Sequence, residues 1–116
     1  MTTSLKIIID KLQLRLLTDS KEFETIFIEG GYASDLLSCV MTGAKKNDIW
    51  VTLIASINIV AVAKLLELPA IIITEQSHPD EMTIARANQE GVILFSTSLS
   101  NFTVVGSLWE LGVRTG

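Results

Sequence analysis

The sequence predicts an α/β fold in three layers, a mainly parallel sheet with helices on both faces. Three observations carry this. From residue 34 onward, apolar runs of strand length alternate with runs of helix length, and the connections between them are short. Strands joined in that way run parallel through right-handed crossovers. The runs Ala70-Ile71-Ile72-Ile73 and Val92-Ile93-Leu94-Phe95 are apolar without a break, as strands are when helices cover both sheet faces. Finally, 48% of the 116 residues are hydrophobic, enough for a core without disulfides or metals in a single domain spanning 1–116.

The spacing of Leu5, Ile8, Ile9 and Leu12 predicts a helix over Ser4 to Leu12, with Met1 to Ser4 as a frayed end. Leu14, Leu16 and Leu17 read as a short strand, closed by a turn at Thr18-Asp19-Ser20. Thr25 to Ile28 reads as a second strand running into a turn at Glu29-Gly30-Gly31. The alternation then begins. Ser34 to Thr42 is a helix with Ser34 as N-cap and Gly43 as stop. Ile49 to Ile54 is a strand, Asn58 to Leu68 a helix ended by Pro69, and Ala70 to Thr74 a strand. Pro79 to Glu90 is a helix, with Asp80 and Glu81 favouring its positive end and Gly91 beyond it. Val92 to Ser96 is a strand, and Asn101 to Leu111 a helix capped by Ser100. Thr115 and Gly116 read as the other frayed end.

The segment Asn58 to Leu68 is apolar around most of its circumference, with Lys64 and Glu67 its only charges. Such a helix is buried on more than one side. Either the N-terminal helix and strands pack over it, or a second chain does.

Charge and composition exclude several classes of function. The net charge is −4, from 9 basic and 13 acidic residues. No basic face exists to release counterions from nucleic acid, so no nucleic-acid partner is expected. Mean hydropathy is high at +0.45, yet the apolar stretch Ile57 to Ile73 is broken by Asn58, Lys64, Glu67 and Pro69. It reads as a buried helix and strand, with no membrane partner. The N-terminus lacks a signal-peptide pattern, and Cys39 is the only cysteine. Both features fit a cytoplasmic protein, with Cys39 a buried or half-buried filler. Trp50 and Trp109 read as core residues.

In a parallel sheet, ligands sit at the carboxyl ends of the strands. Four polar loops should converge there: 29–35, 55–58, 75–78 and 97–101. The candidate ligand-binding residues on them are Gly30, Gly31, Tyr32, Ser34, Asp35, Ser56, Asn58, Ser77, Thr97 and Ser100. The competing reading is that these polar residues only cap helices and turns. None of the four loops carries Lys or Arg, which argues against a heavily charged phosphate ligand. Gly30-Gly31-Tyr32 is neither a phosphate-binding P-loop nor a dinucleotide fingerprint. His78 is the only histidine and has no nucleophile at a telling spacing. One His and one Cys cannot build a closed zinc site. No catalysis, metal or cofactor is expected.

The segment Glu29 to Ser38, with Asn47-Asp48-Ile49-Trp50-Val51-Thr52 and Asn58-Ile59-Val60-Ala61-Val62-Ala63, resembles the stand-alone DRTGG-domain proteins of anaerobic bacteria and archaea. The resemblance runs from about Ser4 to Gly112 and is most specific from Gly30 to Leu37. The naming motif itself is absent, with Thr52-Leu53-Ile54-Ala55 in its place. The resemblance implies a fold like the N-terminal domain of HPr kinase/phosphorylase. It also implies a regulatory or oligomerising, non-catalytic role beside a metabolic or redox enzyme system, and together with the apolar helix Asn58 to Leu68 it leads to the expectation of a homodimer. Hydrogenase or NADH-linked electron-transfer subunits are the protein partners it implies, and an adenine nucleotide the small ligand.

Overall fold

The computed structural model describes residues 2–115. Its main sheet has five strands in the order β2-β7-β6-β5-β4. These are β2 (Arg15–Leu16), β4 (Gly30–Ala33), β5 (Asp48–Thr52), β6 (Ala70–Ile73) and β7 (Ile93–Ser96). Strands β4 to β7 are parallel, and β2 lies antiparallel on β7, with Arg15 opposite Ser96 and Leu16 opposite Phe95. A separate two-residue ladder joins β1 (Thr3–Ser4) to β3 (Phe27–Ile28).

Side chains along each central strand alternate between two cores. Ile49, Val51, Ala70, Ile72, Ile93 and Phe95 face one side, where α1 (Leu5–Leu12) and α5 (Asn101–Glu110) lie. Trp50, Ile71, Ile73 and Leu94 face the other, under α2 (Leu37–Gly43), α3 (Asn58–Leu66) and α4 (Glu81–Glu90). Successive right-handed crossovers from β4 to β7 all step the same way across the sheet, which places their three helices on one face.

Several elements differ from the sequence reading. Thr3 and Ser4 are paired with β3, and Ser4 caps α1 by accepting from the Ile7 N–H at 3.3 Å. Met1 and Gly116 lie outside the described residues. A 3-10 turn at Phe23–Thr25 takes up the start of the strand expected from Thr25 to Ile28, which shortens to β3. The expected glycine turn is instead the edge strand β4. Pairing with β5 decides it, and the missing side chain at Gly31 lets Val113 pack there: a Cβ would sit 3.1 Å from Val113 Cγ1. Ser34 does not cap α2. Its Oγ accepts from the Leu36 N–H at 3.1 Å, and the helix begins at the next residue, as Leu37–Gly43, without a side-chain cap.

Gly43, expected as the stop, is the last residue of α2, and Ala44 is the C-cap. A Cβ there would lie 2.5 Å from the Tyr32 ring, so the glycine makes room for that ring. The N-terminal segment does not cover helix α3. Helix α1 is on the opposite sheet face, and α2 and α4 flank α3 instead. Cys39 and Trp109 are both exposed rather than core. Both sit on helix faces turned away from the sheet, where an apolar pattern alone does not reveal direction. Trp50 is fully buried as expected, its Nε1–H donating to the Ser34 carbonyl at 3.0 Å.

Candidate functional site

The carboxyl ends of β4 to β7 carry a hydrogen-bonded network centred on Asp35. Strand β4 delivers Asp35 two residues past its end. Its Oδ1 accepts from the Thr52 hydroxyl and from the Leu53 N–H, both at 2.8 Å. Its Oδ2 accepts from Asn101 Nδ2 at 3.3 Å. Asn101 Oδ1 accepts in turn from the Thr74 hydroxyl. The Asn101 N–H donates to Glu75 Oε2 at 2.8 Å. Thr52 and Thr74 are fully buried, so their hydroxyls need these partners. One carboxylate and one amide thereby fix the loop after β4, the ends of β5 and β6, and the start of α5.

The remaining loop residues mostly satisfy backbone. Ser100 caps α5, accepting from the Thr103 N–H at 3.2 Å. Thr97 Oγ1 accepts from the Leu99 N–H at 3.1 Å, and the Ser77 N–H donates to the Thr74 carbonyl at 3.0 Å. Asp80 caps α4 and accepts from the Thr83 hydroxyl at 2.7 Å and N–H at 2.9 Å. Those bonds hold its carboxyl below the usual range. At the opposite end of the strands, burial pushes the Asp48 carboxyl up, against a hydrogen bond from the Lys45 N–H.

The ten sequence-predicted residues therefore do not form one cluster. Asp35 is the hub, with Ser34 beside it. Gly30, Gly31 and Tyr32 belong to β4, where Gly31 and Tyr32 border a groove of about 280 Å³ with Val105, Trp109 and Val113. Ser56 and Asn58 stand exposed at the start of α3, and Asn58 borders a different cleft between α3 and α4. Ser77, Thr97 and Ser100 serve turns and caps. The sequence reading missed Thr52, Thr74 and Asn101. A signal was present: a threonine ends each of two neighbouring apolar strands, where an apolar residue would complete the pattern.

Among solved structures, the chain superposes on the CBS and DRTGG domains of the regulatory region of Clostridium perfringens pyrophosphatase. The TM-score is 0.73 with 19% identity, over 91% of this chain and 46% of that one. The fold is DRTGG-like. It is the architecture the Gly30 to Leu37 resemblance implies, and the likeness extends to fold alone at this identity. The chain spans less than half the length of that regulatory region, which was solved with its activator, diadenosine tetraphosphate. No protein-family model and no curated protein matches the sequence.

Among the described residues of this DRTGG-like domain, no three His, Cys, Asp or Glu side chains gather to hold a metal ion. No helix among the described residues is long and apolar enough to cross a membrane. A second surface stands out at the other end of the sheet from β2. Helix α5 buries Val104 and Leu108 but turns Phe102, Val105 and Trp109 outward, one face at spacings of three and four residues. Phe102 is 89% exposed and Trp109 55%. The Arg114 guanidinium stacks 3.9 Å from the Trp109 ring centroid. The edge strand β4 runs alongside, and its Gly31 N–H is taken by the Arg114 carbonyl at 3.0 Å.

Proposed function

We propose that this chain is a non-catalytic regulatory domain that works by docking, first on a second copy of itself. The exposed stripe Phe102, Val105 and Trp109 beside edge strand β4 carries the reading. At about 200 Å² per aromatic side chain, Phe102 and Trp109 alone leave roughly 300 Å² of ring surface in water. That is the scale of the largest apolar patch on a typical monomer, which is often functional, and a twofold homodimer is the commonest cover for one. The likeness to a pyrophosphatase regulatory region supports the regulatory role. So does the Asp35 network, which commits the polar groups around the ends of β4 to β6 to holding the fold. The dimer then presents its remaining surface to a metabolic or redox enzyme, with hydrogenase or NADH-linked electron-transfer subunits the partners that the sequence resemblance implies. A second reading, an adenine-nucleotide sensor, is favoured by the activator bound in the structural relative.

Light scattering across a concentration series tests the docking reading. The wild type should approach twice 12.7 kDa. Phe102→Glu and Trp109→Glu should hold the mass at the monomer value, and Leu65→Glu on α3 should leave the dimer intact. A wild type that stays monomeric at every concentration overturns the reading. A rise in melting temperature with adenine nucleotides, and none with adenine-free controls, supports the sensor instead.

A further inference from the structure

The chain changes sides of the sheet once at its carboxyl edge. The loops after β4, β5 and β6 lead into helices on one face, and the loop after β7 leads into α5 on the other. Where the loops of adjacent strands leave to opposite faces, a crevice opens, and open α/β sheets hold ligands there. In this molecule the adjacent strands are β6 and β7. The antiparallel strand β2 then completes the crevice, because its register sets Arg15 opposite Ser96 at the carboxyl end of β7.

A cleft of about 520 Å³ lies at this point, lined by Gln13, Arg15, Gln76, His78 and residues 96–98. That volume falls in the range of about 300–1,000 Å³ typical of small-molecule sites. Apart from Thr97, whose Oγ1 holds the Leu99 N–H, its polar side chains are unspent, unlike those of the Asp35 half of the same edge. Among the described residues, Arg15 takes part in no ion pair, and the side chains of Gln13, Gln76 and His78 make no hydrogen bond. No carboxylate lines the cleft. Backbone strain gathers around it as well. Gln76 (φ 60°) and Glu75 (φ 59°) are left-handed without being glycine, while Gln13 (φ 52°) is the left-handed C-cap of α1. Such residues persist where their surroundings hold them and concentrate at functional sites. Here the Glu75 and Gln76 N–H groups are fixed to the Leu99 and Thr97 carbonyls at 2.9 and 3.2 Å.

We propose that this cleft binds the phosphoryl group of a small phosphate ester, with Arg15 as its charged fork. A guanidinium matches phosphate oxygens in pairs. The amides of Gln13 and Gln76, His78 and the Ser98 hydroxyl offer further donors from several directions, which suits three oxygens better than the two of a planar carboxylate. The cleft is larger than an inorganic ion, leaving room for the organic part of an ester. The cation that the four loops lack arrives from β2, from within the same chain. The site lies at the far end of the sheet from β4 and does not depend on the docking surface.

The test is a titration of the isotopically labelled full chain with inorganic phosphate, followed by amide NMR shifts at constant ionic strength. Sodium malonate serves as a parallel arm. Saturable shifts centred on Gln76, Thr97 and Ser98 are expected, with phosphate tighter than malonate. Arg15→Gln should weaken phosphate binding by about tenfold or more, the scale of a lost charge-assisted bond. Arg15→Lys should recover part of it. The exposed, unpaired Arg15 leaves melting temperature unchanged in both variants, which separates lost binding from lost fold. Absence of saturable shifts, equal binding by Arg15→Gln, or tighter binding of malonate overturns the proposal.

Discussion

Helix α3 carries Ile59, Val60 and Ala63 into the core and is flanked by α2 and α4, while α5 carries in only Val104 and Leu108 and turns its aromatic residues to solvent. The two helices are both rich in apolar residues, and α3 is the richer. Much of its excess is absorbed, Leu65 at 67% exposure excepted, because three successive crossovers crowd three helices onto one sheet face. The opposite face has only α1 and α5 to cover the same strands. How much of a helix is buried is thus decided by topology, through the number of neighbours on its face, and not by the composition of the helix itself.

Substitutions on the two helices sharpen this contrast. The largest effect is expected for Ile59→Ala, a loss of about 2–5 kcal/mol, as for other fully buried aliphatic side chains. Phe102→Ala should change monomer stability by no more than about 0.5 kcal/mol, despite removing a larger side chain. Urea denaturation at the lowest practical protein concentration compares them. Equal losses would mean that α5 is covered within the monomer and would break the contrast.

Asp35→Ala ranks next. It strips the buried Thr52 hydroxyl and the Leu53 N–H of their acceptor, at a cost of about 1–3 kcal/mol. It also frees Asn101, so hydrogen exchange should quicken at the start of α5 and stay slow in α3. The exposed Asn58 at the start of α3 gives the control, since Asn58→Ala should cost little. Ser100→Ala follows, removing the side-chain cap that α5 has and α3 lacks, for about 0.5–2 kcal/mol. The smallest effect has the opposite sign. Gly106 lies inside α5 with nothing within 4 Å of an added Cβ. Gly106→Ala should therefore stabilise the monomer by about 0.5–1 kcal/mol. Destabilisation, read from the same urea curves, would place another part of the molecule over that face.

Much of the fold was legible because its signals are local. Strands β6 and β7 are unbroken apolar runs, and α4 carries Asp80, Glu81 and Gly91 at the positions that start and stop a helix. What was not legible depends on partners distant in sequence. Gly30-Gly31 reads as a turn until β5 and Val113 are placed beside it. Leu14, Leu16 and Leu17 read only as a short strand, and nothing in them places Arg15 until β2 pairs with β7. The candidate site was half visible. Asp35 was picked from its loop, but its partners Thr52 and Thr74 read as ordinary β-branched strand residues, and their burial emerges only when the strand ends align.

The pairing of β2 with β7 also bears on the order in which the chain can assemble as a ribosome delivers it. Each strand from β5 to β7 finds its parallel neighbour already made, because the sheet grows by one strand at a time in sequence order. Strand β2 emerges before all of them yet has no strand to join until β7 exists, when the Leu17 N–H reaches the Leu94 carbonyl and the Thr18 hydroxyl accepts from the Leu94 N–H. Helix α1 waits longer still, for Val104 and Leu108 of α5. The N-terminal segment is therefore made first and seated last. During synthesis Leu5, Ile8 and Leu12 are the apolar residues left longest without their final neighbours, and they are where a chaperone would find this chain.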